Sequence, residues 1–470
     1  MSLELRDDGY MRYLITIALL LLLLAVSGVA TTQGASQAPA GAIAGRVIDV
    51  STSRPVMGAT VRLESTRRTT GTDSTGRFVF EAVPTGSHQI RVSSVGYQTA
   101  QRSDVIARSG RTTQVVVGLA QSVTLVEGAV VSGGYFSQPA LEQPGTVSYN
   151  SEEIRRTPGS AGDVSRVMQN LPGVNKGGLA INHLIVRGGS PTENGFYLDN
   201  IEIPNINHFP VFGTTGGAIG LLNPDFIEEA TFYAGGFPAS YGGRLSSVMA
   251  LRFREGSRER TEFQADMGLS GLGLIGEGPL GDDRGSWMFA VRRSYLDVLT
   301  EALDVGILPR YSDYQGKVVW DVARSHRLTA LGVVGVDDVE LDRNESASIY
   351  GTTAALEYAG GVNWRFLWGD EGVSETSLSH NRTTFTLDYI DEYDELPQVA
   401  HHEDRRSTQI RNVNRVKLGR AHEFEVGGEY RWSHHEVDVF QDVTWHPFGY
   451  APIDVDLADT VSDNTYALFT

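Results

Sequence analysis

The sequence predicts a mainly β protein built in three successive parts: a small β-sandwich, a compact α+β unit, and the opening portion of a large antiparallel sheet of the kind that walls a transmembrane barrel. Three observations carry this. Residues 42 to 119 hold short alternating runs separated by turn signals, residues 183 to 255 hold short β-type runs cut apart by Gly, Pro and Asn clusters, and from Leu251 onward apolar residues recur with period two over long segments. Composition agrees. The 53 glycines and 9% aromatic residues suit a turn-rich β chain, and 470 residues exceed what one core organises, so two or three domains are expected. A formal charge of −18 argues against a nucleic-acid partner, which needs a basic face. The lack of cysteine excludes a disulfide scaffold, a thiolate zinc site and a lipidated cysteine anchor.

Residues 1–30 read as a signal peptide. Leu14 to Val29 is an almost unbroken apolar run, Arg12 precedes it, and the small residues Gly28-Val29-Ala30 close it, so cleavage after about Ala30 is expected. Met11 is an alternative start, and an uncleaved anchor is the competing reading because the run approaches spanning length. No later stretch has the length and apolarity of a spanning helix, so any further crossing of a membrane must use strands.

Residues 31–41 form a Gln, Ala, Ser and Pro linker, and residues 42–119 form the sandwich. Its predicted strands are Ile43 to Ile48, Thr60 to Leu63, Arg77 to Phe80, Gln89 to Val92 and Thr113 to Val117, with turns at Arg54-Pro55, Gly71 to Gly76 and Pro84-Thr-Gly86. Phe78, Phe80, Ile90 and Val92 fall on one face and form the expected core. Gly45-Arg-Val, Pro55 to Leu63, Thr72 to Phe78, Pro84-Thr-Gly86 and Gly96-Tyr97 resemble the carboxypeptidase regulatory-like domain, a transthyretin-like sandwich. His88 stands where that family usually carries an aromatic residue. The resemblance implies a non-catalytic module.

Residues 120–134 join the sandwich to the next unit. Their β-prone run, with Thr124, Leu125, Val126, Glu127, Val130 and Val131, is either a last sandwich strand or an extended segment open to strand addition by a partner. Residues 135–250 follow. Here Ser160 is the expected cap of a helix, with Asp163 three residues on, Val164, Val167, Met168 and Leu171 at helical spacing, and Pro172-Gly173 as the stop. Predicted strands are Leu184 to Val186, Phe196 to Leu198, Ala230 to Tyr233 and Ser247 to Phe253. Five stretches carry a second resemblance: Asp163 to Val174, Val186-Arg-Gly-Gly-Ser-Pro191, Phe196 to Ile203, Asn223 to Ala230, and Tyr233 to Arg244. They resemble the plug domain of TonB-dependent outer-membrane receptors. The matching positions are Arg187, Gly188, Gly189, Asp199, Gly235, Gly236, Tyr241, Gly242, Gly243 and Arg244. The resemblance implies that residues 122–135 hold the TonB box. Arg187 and Arg244 are expected either to face carboxylates of the wall or to be plain surface arginines. The turn-rich stretch from Asn205 to Pro210 and from Thr214 to Gly217 would form the plug tip, which makes Asn205, Asn207, His208 and Phe209 the ligand-contact candidates.

Residues 251–470 read as a partial barrel. Phe424, Val426, Tyr430 and Trp432 share one strand face while Glu423, Glu425, Glu429 and Arg431 share the other, as suits a wall between lipid and water. Phe263 to Leu269, Trp287 to Arg293, Gln315 to Val322, His326 to Val336, Val362 to Trp368 and Tyr466 to Phe469 alternate similarly. Short links such as Ala323-Arg-Ser325 contrast with a long polar one expected at Asp391 to Arg406. Val291 to Asp297 also resembles the early barrel of the receptor family. About ten strands precede Thr470, against the roughly 22 of plugged transporters, and Thr465 to Thr470 reads as mid-strand, so a truncated barrel is expected.

Catalytic chemistry is not expected. Gly271-Leu-Gly-Leu-Ile-Gly276 matches a dinucleotide fingerprint, but Glu277-Gly-Pro279 leaves no helix to hold a pyrophosphate. His422 and Glu425, three apart on a strand, point to opposite faces and cannot share a metal; the pairs His401-His402 and His434-His435 meet the same objection if extended. The acidic runs Asp388 to Glu395 and Asp454 to Asp463 lack an ordered calcium loop. No cofactor or metal is therefore expected. The receptor resemblance implies energy-coupled uptake of a scarce or bulky ligand across the outer membrane of a Gram-negative bacterium, with the sandwich in the periplasm. Its partners would be a TonB-type coupling protein, outer-membrane lipid and an extracellular ligand. A non-transporting adhesin or assembly platform is the competing class.

Overall fold

A computed structural model describes residues 40–50, 52–122, 145–176, 181–210, 214–268, 271–281, 284–295, 297–298, 307–343, 349–369, 372–392, 395–418, 422–443 and 453–470. The predicted signal peptide, and the TonB-box candidates Thr124, Leu125, Val126, Glu127, Val130 and Val131, lie outside the described residues. No described helix is long and apolar enough to cross a membrane, which leaves crossing by strands open.

The first part is a sandwich of two sheets. Arg77–Pro84, Ala40–Asp49 and Thr112–Leu119 form one, and Arg68–Gly71, Thr60–Leu63, Gly86–Ser93 and Ala100–Ala107 form the other, in those orders. Phe78, Phe80, Ile90 and Val92 point inward as the alternation requires, joined by Ile43, Val47, Leu63 and Leu119. The pattern passed over Arg68–Gly71 and Ala100–Ala107. Both are edge strands; Arg68–Gly71 is polar throughout, and Ala100–Ala107 opens on the polar run Gln101 to Asp104 and turns apolar residues inward only at Val105 and Ala107, too few for the alternation to show. His88 is buried, its ring bonded to Ser65 Oγ at 2.5 Å and Pro84 O at 2.7 Å.

The plug unit centres on a five-stranded sheet in the order Ile201–Ile203, Gly195–Leu198, Val248–Phe253, Ile227–Tyr233, Thr146–Asn150. Two short helices pack beside it. Asn150 and Glu153 form a reciprocal capping box on Ser151–Arg156, which buries Ile154. In Val164–Met168 the cap is Asp163, whose carboxylate accepts from Ser165 N at 2.8 Å; Ser160, the expected cap, closes the preceding turn by donating to Ile154 O at 2.8 Å. Asp163 has the extended backbone that a cap needs, and its side chain lies nearer the orphan amides.

Ten antiparallel strands, each paired to its neighbours in sequence, then form one sheet from Glu262 to Phe469. The glycine-rich stretch Gly271 to Gly276 lies within one of them, Gly271–Leu280, rather than before a helix. Side-chain parity gives the sheet two unlike faces. On one, Trp287, Val318, Ala330, Val362, Leu378, Ile410, Tyr430 and Tyr466 are successive cross-strand partners, an unbroken apolar row through eight strands. The other face carries Asp313, Gln315, Lys317, Asp337, Glu357, Arg411 and Arg431. The expected long link at Asp391 to Arg406 is mostly strand: Pro397–Leu418 pairs throughout with Gly372–Asp391. Its first half is charged on both faces and tied by cross-strand pairs such as Arg382–Asp404 at 2.8 Å, so it shows none of the apolar alternation farther along.

Candidate functional site

The plug packs on the polar face of the ten-stranded sheet, and at the contact the two share a core. Phe226, Met249, Phe253, Leu221 and Ile201 of the plug cluster with Ile275, Met288, Ala290, Leu331, Val333 and Ala359 of the wall. Gly335 and Gly361 let the plug come close: a Cβ at the first would fall 2.9 Å from Leu221 Cδ1 and at the second 3.0 Å from Ile201 Cδ1. Around this apolar patch the contacts are polar.

His208 is the most enclosed of them. Its side chain is 0% exposed, with Nδ1 2.6 Å from Asp337 and Nε2 3.2 Å from Asp313, carboxylates on adjacent wall strands. Arg292 bonds Asp313 at 2.6 Å and Gly220 O at 2.7 Å, and the Phe209 amide donates to Asp337 at 2.9 Å. Tyr311 lies against the imidazole, ring centroids 4.4 Å apart. Burial pulls the His208 pKa down, but the hydrogen bonds and charges of Asp313 and Asp337 outweigh it, so it stands above the ordinary histidine value.

Three further ties flank this node. The hairpin tip Asp199-Asn200 has positive φ at both residues, as a type I′ turn requires. It is held by Lys317, whose Nζ lies 2.8 Å from Asp199, and by Asn363 and Ser377. Glu202 lies between Arg244 of the plug and Arg431 of the wall, and Arg431 also meets Glu429 at 2.8 Å. Arg411 is 2% exposed, and its guanidinium lies 5.2 Å from the rings of both Tyr197 and Tyr241, with Nη2 donating to Ser240 O at 2.5 Å. Among the described residues Nε and Nη1 have no hydrogen-bond partner, so the two ring faces are its main compensation there. Burial, with Glu202 second, pushes the Tyr197 hydroxyl up to about 12.

The structure separates the predicted residues by role. Arg187 and Gly188 form the corner of a tight turn closed by Gly189 N donating to Val186 O at 2.9 Å; both corner residues have positive φ. Arg187 is exposed, and its guanidinium lies beside Gly145 and Gly235 of the plug rather than a wall carboxylate. Gly189 is packed on Ser246, while Gly235, Gly236 and Gly243 have positive φ and Gly242 is exposed. Among the described residues Arg244 meets the wall through Glu202, which it shares with Arg431. Among the ligand-contact candidates, Asn207 and His208 are buried, His208 turned to the wall; Asn205 borders both the wall, through Glu357, and a cavity of about 520 Å³. Phe209 is half-buried, edge-on to Tyr311 at 5.8 Å. That cavity lies between the plug tip at Pro204, Pro210 and Thr214 and the wall at Phe385, Arg405 and His435. Sequence reasoning missed Asp313, Asp337, Glu357 and Arg411. Each is a polar residue at an inward position of a strand, a signal that marks the face but not the partner. Among the described residues no cluster of His, Asp and Glu could hold a metal ion.

Two family models match the chain. The carboxypeptidase regulatory-like domain matches residues 42–120, and the TonB-dependent receptor plug domain matches residues 139–247. No curated protein matches. Among solved structures the chain is similar to the siderophore receptor PirA from Pseudomonas aeruginosa, 14% identical over 70% of this chain and 52% of that one, with a TM-score of 0.46. It is similar to a variant of the ferric enterobactin receptor PfeA from Pseudomonas aeruginosa, 15% identical over 70% and 55%, TM-score 0.47. It is also similar to the outer-membrane transporter YddB from Escherichia coli, 11% identical over 69% and 53%, TM-score 0.48. The chain thus spans about half the length of these solved structures.

Proposed function

From a chain that is TonB-dependent-receptor-like, with a carboxypeptidase regulatory-like domain ahead of a plug domain, we propose energy-coupled uptake across an outer membrane, with the plug as gate. The observation that carries this reading is the way the plug is held. A modest shared core is ringed by ion pairs and hydrogen bonds, including His208 to Asp313 and Asp337 and Glu202 to Arg431, whose polar groups water can take over as the plug moves. The division proposed is 1–30 signal peptide, 31–41 linker, 42–119 sandwich, 120–134 coupling linker, 135–250 plug and 251–470 barrel wall. A TonB-type coupling protein would grip the linker by strand addition and pull the plug. A ligand too large or scarce for open pores would enter through the cavity beside Asn205, while Asn207, His208 and Phe209 would release the wall as the plug shifts.

Deletion of residues 122–135 is the decisive experiment. Uptake of the ligand by intact cells should be abolished while ligand binding and membrane insertion persist. Undiminished uptake would sink the transport reading in favour of an adhesin or assembly platform.

A further inference from the structure

The sandwich meets the rest of the molecule in a different way from the plug. Plug and wall share apolar residues, whereas among the described residues the sandwich core draws on nothing outside residues 43–119. What joins it to its neighbours is hydrogen bonds and ion pairs; Arg46 to Asp321, Arg77 to Glu259 and Asp49 to Lys417 are long ones at 3.5–3.8 Å, and the shortest gather at one turn, Arg108-Ser-Gly-Arg111. Arg108 Nη2 lies 2.7 Å from Glu152 on the first plug helix. Three residues on, Arg111 Nη2 lies 2.7 Å from Glu277 on the second wall strand, and the Thr112 amide donates to Glu262 on the first at 3.0 Å. Gly110, at φ +68, turns its carbonyl to Arg260 at 2.8 Å. Nearby, Arg156 of the plug meets Asp104 at 3.1 Å, and Gln114 donates to Glu259 at 2.7 Å. The turn therefore holds the plug with one arginine and the wall with another.

A contact built this way fixes position well and resists removal poorly. The Arg108–Glu152 pair is partly exposed, a setting in which an ion pair contributes about 0–1 kcal/mol and is screened by salt. The Arg111–Glu277 pair is nearly buried, and its separation returns both charges to water, so recovered hydration offsets much of the lost attraction. We propose that the sandwich is a detachable stop. Docked, the 108–111 turn fastens the first plug helix to the first two wall strands and keeps the plug in place. Undocked, the plug is held by its wall contacts alone and leaves more readily. This deepens the plug-gated reading and rests on it for its use, but it is measured without ligand or coupling protein.

The test uses the full-length protein in lipid. Spin labels at Val95→Cys, on the 99%-exposed sandwich surface, and at Arg324→Cys, in a wall turn, report docking. Planar-bilayer conductance reports plug retention. Combining Arg108→Glu with Arg111→Glu should broaden the label distances and raise the frequency of open-pore events about tenfold, the ratio that corresponds to about 1.4 kcal/mol. Raising ionic strength should move the unaltered protein the same way, and a variant lacking residues 42–119 should conduct like the double variant. Arg108→Glu alone should show part of both effects, and adding Glu152→Arg should reverse them, which a misfolded plug would not allow. A sandwich that undocks with conductance unchanged, or that stays docked in the double variant and at high salt, overturns the proposal. A normal conductance response in a protein that takes up nothing would sink the transport reading and leave the stop standing.

Discussion

His208 has a ring nitrogen on a carboxylate of each of two wall strands, Asp313 and Asp337, and Arg292, Tyr311 and Glu357 complete its surroundings. Because its folded pKa lies above the usual 6.5, the stability it adds is complete below that value and is lost as pH rises through the raised one. The unfolding temperature of the plug should therefore fall as pH rises above about 6.5, and His208→Gln should flatten that component of the slope. His208→Leu leaves two buried carboxylates with Arg292 as the remaining cation and is expected to cost about 3–5 kcal/mol. The Arg411 contact makes a separate prediction. Tyr241→Phe keeps the ring and should be close to neutral, whereas Tyr241→Leu should cost about 1–2 kcal/mol, and that penalty should shrink in an Arg411→Met background. A double-mutant cycle followed by denaturant unfolding checks this. The sequence displayed Tyr241 within a glycine-rich motif but not its partner, because 170 residues of chain and the sheet register decide which wall residue lies beneath it.

Strands carry the clearest sequence signal in the molecule, and their failures have causes. Most of the apolar row from Trp287 to Tyr466 is legible as period-two alternation before any pairing is known, but its members Leu378 and Ile410 lie on Gly372–Asp391 and Pro397–Leu418, which the alternation did not mark. Four residues along the strands, the same face reads Tyr314, Val334, Tyr358, Arg382, Arg406 and His434, so the apolar band gives way to aromatic and then charged residues. Described strands of 16 to 22 residues from Ile307 onward exceed the roughly 9 to 11 that a bilayer needs. On the barrel-wall reading proposed above, their excess would stand in water, free of any demand for an apolar face, which accounts for the loop-like composition of the first half of Pro397–Leu418. Val362→Arg, in the middle of the row, should destabilise the inserted wall by about 2–4 kcal/mol, while Thr384→Arg, on the same face above Arg382, should cost no more than about 1 kcal/mol. Unfolding from lipid vesicles measures both. Equal penalties would mean that the band has been misplaced.

At the scale of the whole chain, three parts resolve into two cooperative units. The sandwich core is closed on itself, while the plug core continues into the wall, and no local pattern could reveal that difference because it depends on which surfaces meet. The sequence indicated three parts from shifts in periodicity; it did not indicate that charged side chains far apart in the chain, such as Arg111 and Glu277, would clip the first part across the joint between the other two. Separate cores imply separate unfolding transitions wherever the connecting contacts are only ionic. Phe80→Ala, which empties a 2%-exposed site in the sandwich, should lower that unit's stability by about 3–5 kcal/mol and leave the second transition in place. Phe226→Ala removes a fully buried ring packed 5.3 Å from Phe253 at the plug–wall contact, and it should move the second transition while leaving the first. Hydrogen exchange resolved by segment reads both outcomes in one protein. If Phe80→Ala loosened the plug strands as much as the sandwich, docking would be as strong as a shared core, and a detachable sandwich would no longer be tenable.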